Sequence, residues 1–196
     1  GQVTVPRLVA QLRDFGLAVS KRQLVRLLTA RQEPFLAEAR DVLRAGLTSA
    51  AWLAVDDTGA RHKAQNGFCT QIGNDRFAWF GTTASKSRRN FLELLRAGYD
   101  DYVINAEALA YMRRRNLAGP VIQRVAAHPA QHFADHAAWQ VHLDRLGITA
   151  LTATPDPVLI ATEGALWGSV KAHGFLPDTV LVSDDAIRQA QTALWS

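Results

Sequence analysis

Two apolar runs, far apart in the chain, end in the same way. Trp52-Leu53-Ala54-Val55 is followed by Asp56-Asp57, and Thr179 to Val182, within TVLVSDDA, is followed after one serine by Asp184-Asp185. Short apolar, β-branched runs read as buried strands. A strand that stops on two acids leaves the interior at a fixed point, so both acid pairs are expected at a sheet edge. Asp-Thr-Gly after the first run also reads as a turn, because Asp bonds to nearby backbone and Gly tolerates positive φ. If the two strands are neighbours, their first acids converge, and close carboxylates repel unless a cation neutralises them. A hard divalent ion with oxygen ligands, Mg²⁺ or Mn²⁺ in its place, answers that demand. Two such ions about 4 Å apart serve phosphoryl transfer.

The chain before the first acid pair reads as helical. In VPRLVAQLRDFG, Leu8, Leu12 and Phe15 fall at helical spacing, Pro6 suits a first turn, and Gly16 suits a left-handed stop. SKRQLVRLL then opens with Ser20 and Gln23 in capping-box register, with Leu24, Leu27 and Leu28 as its apolar side. Helix, glycine turn and capped helix outline a helix-turn-helix, whose second helix enters the DNA major groove. Lys21, Arg22 and Arg26 on that helix are candidate DNA contacts; a solvated basic face on an ordinary helix pair reads equally well. PFLAEARDVLRAGL is a third amphipathic helix, with Phe35, Ala39, Val42 and Leu43 on one side.

After Asp57, NGFCTQIG and FAWFGTT are two further strands around a Gly73-Asn74-Asp75 turn, so an antiparallel meander is expected. The helix SKSRRNFLELLRAG follows, capped by Ser85 or Ser87 and stopped by Gly98. It carries Lys86, Arg88 and Arg89 at its start, where the helix dipole favours anions. A DNA phosphate would satisfy both these cations and the exposed amides; simple solvated charge reads equally well. Arg113-Arg114-Arg115, by contrast, sits at a helix end, where cations complement the carbonyls.

Residues 99–178 read as a largely helical insertion, ending with a helix TEGALWGSVKAHG capped by Thr162 and stopped by Gly174. His132 and His136 have the i, i+4 spacing that can hold zinc, without the glutamate of a His-Glu-x-x-His motif. One cysteine, Cys69, excludes an intramolecular disulfide and fits a reducing cytoplasmic setting. No apolar run approaches the ~20 residues of a membrane span. Hydrophobic residues make up 48% of the 196, enough for a sizeable core, and the net charge of +4 favours a polyanionic partner.

The stretches WLAVDDTGARH, NGFCTQIGNDRFAWF, TTASKSRRNFLELL, YVINAEALAYM, TEGALWGSVKAHG and VLVSDDA, in this order, resemble the catalytic region of bacterial insertion-sequence transposases of the DDE type. The resemblance implies an α/β, ribonuclease H-like mixed sheet with an internal insertion. It implies a helical DNA-binding region over 1–48 and a catalytic domain over 49–196. Its first two metal-binding acids fall on Asp56 and Asp184, with Asp57 and Asp185 as adjacent residues outside that role. The implied partners are double-stranded DNA, as transposon ends and target, and further copies of the chain, in the bacterial nucleoid. The family's third acid, a glutamate, has no counterpart after Asp184; Glu163 is the substitute if the insertion folds over the site. Without a third acid, the alternative is a DNA-binding protein that has lost catalysis.

Overall fold

The computed structural model describes residues 4–62 and 65–183, apart from the side chains of 60–62, 65 and 66. Among the described residues the protein is α/β, with eight helices, a mixed four-stranded sheet and a two-stranded sheet. It divides into two compact units, Gly1–Ala39 and Arg40–Ser196.

The first unit holds α1 (Val5–Asp14), α2 (Lys21–Thr29) and the start of α3 (Glu33–Ser49). Gly16 takes a φ of 78°, and Leu17 donates back to the Leu12 carbonyl, so the corner forms where the glycine was expected. The capping box is formed: Gln23 N donates to Ser20 Oγ at 3.2 Å, and Ser20 N to Gln23 Oε1 at 2.9 Å. The expected apolar face is only partly covered. Val9 and Leu24 are buried, but Phe15 is 81% and Leu27 70% exposed. Two helices of ten and nine residues share a narrow seam, and apolar residues flanking that seam stay outside it.

In the second unit the strand order is β3-β2-β1-β6. β1 (Trp52–His62), β2 (Gln65–Gly73) and β3 (Ala78–Thr83) form the expected antiparallel meander. β6 (Val180–Ser183) lies parallel to β1, with Trp52 opposite Val180 and Val55 opposite Ser183. β1 does not stop at the acids. Asp56 pairs with Gln71, Asp57 with Thr70 and Thr58 with Cys69, so Asp-Thr-Gly is strand and not turn. The long partner β2 supplies hydrogen bonds through this polar stretch and overrides its local turn preference.

The inner sheet face carries Leu53, Val55, Ile72 and Thr70, all buried. α4 (Arg88–Leu95) adds Phe91, Leu92 and Leu95 to the core. α3 adds Leu43, Gly46 and Leu47, and Val42 is exposed instead of inward. A Cβ at position 46 would overlap the Phe77 ring, so the glycine lets α3 lie close to that ring.

α5 (Ala106–Arg114), α6 (Gly119–Ala127) and α7 (His136–Arg145) make the expected insertion largely helical, with β4 (Tyr102–Val103) pairing β5 (His132–Phe133). α8 (Pro157–Ala172) begins earlier than expected. Its cap is Asp156, whose carboxylate accepts from Val158 N and Leu159 N, with Pro157 at the first position. Thr162 is buried in mid-helix and accepts from Trp139 Nε1 at 3.0 Å. Every residue from Ile160 to Val170 is buried, so α8 is the central helix of this unit.

Gly164 and Gly168 let α8 approach its neighbours. A Cβ at 164 would meet the flexible Met112 side chain at 2.7 Å, whereas one at 168 would strike the Val103 backbone carbonyl. Alanine also gains helix propensity of ~1 kcal/mol over glycine. Gly164→Ala is therefore expected to leave stability within about 1 kcal/mol of the parent. Gly168→Ala should lose roughly 2 kcal/mol or more, as overpacking against fixed backbone does; urea unfolding of both variants measures the difference.

His142 on α7 is buried among Phe133, Trp139 and His128, with Nε2 lacking a hydrogen-bond partner among the described residues. Burial, with His128 and Arg145 nearby, lowers its pKa to about 4. The unfolded chain therefore binds the His142 proton first as pH falls, and stability drops between the ordinary value of 6.5 and about 4. At ~1.4 kcal/mol per pH unit that loss reaches at most roughly 3 kcal/mol. His142→Phe should flatten this part of the stability–pH curve, as followed by urea midpoints.

Candidate acidic and nucleic-acid site

Side chains alternate across a strand, so the adjacent acids Asp56 and Asp57 face opposite ways. Asp56 shares the outer face with Trp52 and Ala54 and is exposed. Its carboxylate makes no hydrogen bond or ion pair among the described residues. Asp57 shares the inner face with Leu53 and Val55, and the Thr70 hydroxyl donates to its carboxylate. Lys86 Nζ donates to the Asp57 carbonyl at 3.2 Å and lies 5.4 Å from the Phe68 ring centroid. One acid is open to an external cation, and its neighbour is tied into the sheet.

The described pairing of β1 with β6 ends at Val55 and Ser183. The next residues in the two strands' sequences are Asp56 and Asp184. Asp184 and Asp185 lie outside the described residues.

The cations at the start of α4 have partners within the protein. Arg88 Nη1 lies 3.8 Å from Glu163 Oε2, and its side chain is 15% exposed. Arg89 Nε bonds to Glu93 Oε1 at 3.0 Å, one helical turn on. Lys86 is the exposed member of the three. The helix dipole is offset locally by Ser87, whose Oγ accepts from Asn90 N. No bound phosphate is needed to explain these charges. On α2, Lys21, Arg22 and Arg26 are all exposed.

Glu163 is 3% exposed on α8 and sits between two guanidinium groups. Arg115 Nε, at the end of α5, lies 3.8 Å from the same Oε2 that faces Arg88, and the Tyr111 hydroxyl donates to it at 2.8 Å. Burial and the Glu163 carboxylate push the Tyr111 hydroxyl well above its ordinary pKa. Glu163 is thus committed to joining α4, α5 and α8. The arginine triple, expected only to complement a helix end, supplies one of its partners.

His132 and His136 do not share a helix face: one is in β5 and the other opens α7. His136 Nδ1 lies 3.2 Å from the Tyr102 hydroxyl. His132 Nε2 lies 3.2 Å from Asp101 Oδ2, and His173 Nε2 lies 3.0 Å from Asp101 Oδ1. Ser169 Oγ also donates to Asp101, at 2.7 Å. Burial opposes charge on Asp101, but hydrogen bonds from His173 and Ser169 hold its carboxyl below the usual range. Sequence reasoning missed this cluster, because its members come from the loop before β4, from β5 and from the end of α8, and only Ser169 and His173 share a helical spacing. Among the described residues, no group of three or more His, Cys, Asp or Glu side chains is arranged to hold a metal ion. None of the described helices is long and apolar enough to cross a membrane.

No family model and no solved structure matches the chain. It is similar to an uncharacterized protein of Sinorhizobium fredii, y4jO, with 43% identity over 145 residues. The match covers 74% of this chain and 44% of the length of that relative.

Removing one partner of a buried ion pair strands the other charge, at a cost of about 3–5 kcal/mol. Glu163→Gln should therefore destabilise the protein by about 3 kcal/mol. Adding Arg88→Met to Glu163→Gln should recover part of that loss. Chemical denaturation of the single and double variants reads the coupling directly.

Proposed function

We propose that this chain is the DNA-binding and acid-bearing region of a DDE-type transposase on a ribonuclease H-like sheet. The observation that carries the reading is the parallel pairing of β1 with β6, whose last described partners directly precede Asp56 and Asp184. The meander β1-β2-β3, then α4, then a late strand parallel to β1 is the order the resemblance leads one to expect. In this reading Asp56 and Asp184 hold Mg²⁺ or Mn²⁺. When bound, the ion neutralises the acids and polarises the phosphodiester under attack by water or a 3′-hydroxyl.

The chain's own residues then have separate tasks. Asp56, open to solvent on the outer face, offers ligand oxygens. Asp57, bonded to Thr70 and Lys86, fixes the strand that carries it. Lys86 offers a cation to a phosphate, and Lys21, Arg22 and Arg26 offer three more on an exposed helix. Arg88 and Arg89 are spent chiefly on Glu163 and Glu93. Glu163, held between Arg88 and Arg115, is not offered as a third acid. A second reading, DNA binding without cleavage, uses only the exposed cations of α2 and Lys86.

A supercoiled-plasmid nicking assay with Mg²⁺ and Mn²⁺ separates the two. Metal-dependent nicking that Asp56→Ala abolishes and Asp57→Asn retains supports the transposase reading. Salt-sensitive binding without nicking supports the second. Under either reading, replacing Lys21, Arg22 and Arg26 by alanine should shrink the salt slope of binding by roughly one per contact removed. Absence of any DNA affinity at low salt removes both.

A further inference from the structure

A cleft of about 510 Å³ opens beside His142, between α7, β5 and the loop that joins α6 to β5. Phe133, Ala138 and Val141 are among its apolar walls, and His128, His142 and Arg145 among its polar ones. Its volume falls in the range of small-molecule sites, which pair an apolar lining with a few polar groups. Val141 keeps 48% of its surface in solvent there, an apolar side chain with room for a further contact.

The polar side of the cleft is incomplete. His142 is 2% exposed, with its ring 4.4 Å from Phe133 and 4.6 Å from His128, centroid to centroid. Its Nε2 is buried without a hydrogen-bond partner among the described residues. A buried ring nitrogen left unbonded calls for a reason. Burial, with His128 and Arg145 nearby, keeps this imidazole neutral at pH 7. With its proton on Nε2, a neutral imidazole donates a hydrogen bond and brings no charge of its own into the interior. His128 does not supply the acceptor, because its Nδ1 already takes the Ala130 N–H at 3.1 Å. Arg145, three residues on from His142 and exposed, has no hydrogen-bond or ion-pair partner among the described residues. A buried donor and an unpaired guanidinium thus stand one helical turn apart, over an apolar wall.

The charges also set an orientation. Asp135, the cap of α7, lines the cleft too, with its carboxylate accepting from Ala138 N. It lies at the opposite end of the helix from Arg145, roughly 15 Å away. An anion is therefore repelled at the first turn and attracted at the last. The carbonyl end of α7 would oppose an anion, but Arg124 Nη1 donates to the Leu146 carbonyl at 3.2 Å and offsets it.

We propose that this cleft binds a small carboxylate with an apolar body, its oxygens held by His142 Nε2 and Arg145 and its body laid on Phe133, Ala138 and Val141. The inference uses no residue of the acidic sheet edge and is independent of the transposase reading.

Titration of the full chain with sodium octanoate, followed by NMR of the imidazole resonances, tests it. Octanoate should shift the His142 signals saturably, those signals being the ones lost in His142→Phe. Octan-1-ol, with the same chain and no charge, should bind about tenfold more weakly. Arg145→Gln, a change at an exposed side chain, should weaken octanoate about tenfold and leave octan-1-ol as it was. Val141→Asp should remove the binding of both. Octanoate that leaves His142 unmoved, or that binds the parent and Arg145→Gln alike, overturns the proposal. Octan-1-ol binding as tightly as octanoate overturns it as well, since the cleft would then take any apolar chain.

Discussion

The pairing of β6 with β1 is the constraint on which the rest of the molecule depends. Residues 52–55 and 180–183 are joined only by backbone hydrogen bonds and the side chains on either face. Between them the chain makes two strands, five helices and a small second sheet before returning. Parallel strands need such a crossover, because no tight turn can join them. Its cost is loop closure, offset by apolar burial along α8, which runs through the centre of the unit from Ile160 to Val170. α8 therefore does more than fill space: Thr179 Oγ1 bonds to the Ala50 carbonyl and Leu176 N to the Leu47 carbonyl just after it ends. Those two bonds deliver β6 to the flank of β1 in a single register.

Register also decides what two neighbouring acids can do. A one-residue step along a strand moves a side chain through the sheet. Asp57 is turned toward the buried side, where the Thr70 hydroxyl donates to its carboxylate, while Lys86 donates to its backbone carbonyl. Asp56 is turned to solvent and keeps its carboxylate free for an external cation. A sequence with two consecutive acids thus encodes one open carboxylate and one structural one. The choice depends on which apolar residues, Leu53 and Val55, go inward.

Much of this was legible beforehand, and the misses share a cause. Ser20 with Gln23, Gly16, Ser87, Gly98 and Gly174 all mark ends that local chemistry alone determines, and the structure places them as read. The errors lie where tertiary partners decide. Asp-Thr-Gly reads as a turn until the length of β2 is known. Thr162 reads as a cap until Trp139 claims its hydroxyl, while Asp156-Pro157 held the stronger signal. Phe35 and Val42 read as core, yet they are 74% and 41% exposed. Lys86, Arg88 and Arg89 read as one basic cluster, yet a glutamate 75 residues on from Arg88 in the sequence takes one of them. The Asp101 cluster was invisible for the same reason.

The charge around Glu163 shows why a buried acid is a poor candidate ligand. Two guanidiniums at 3.8 Å and a phenol at 2.8 Å already occupy Oε2. A divalent ion entering there would have to displace both cations from Oε2, against repulsion. Asp56 carries no such burden. It is exposed on the outer face, and a cation approaching it displaces only water. What the protein spends on Glu163 is cohesion: α4, α5 and α8 are joined through one carboxylate, next to the loop that holds Lys86 on Asp57. The electrostatics therefore separate a buried, internally paired cluster around Glu163 from an exposed carboxylate at Asp56.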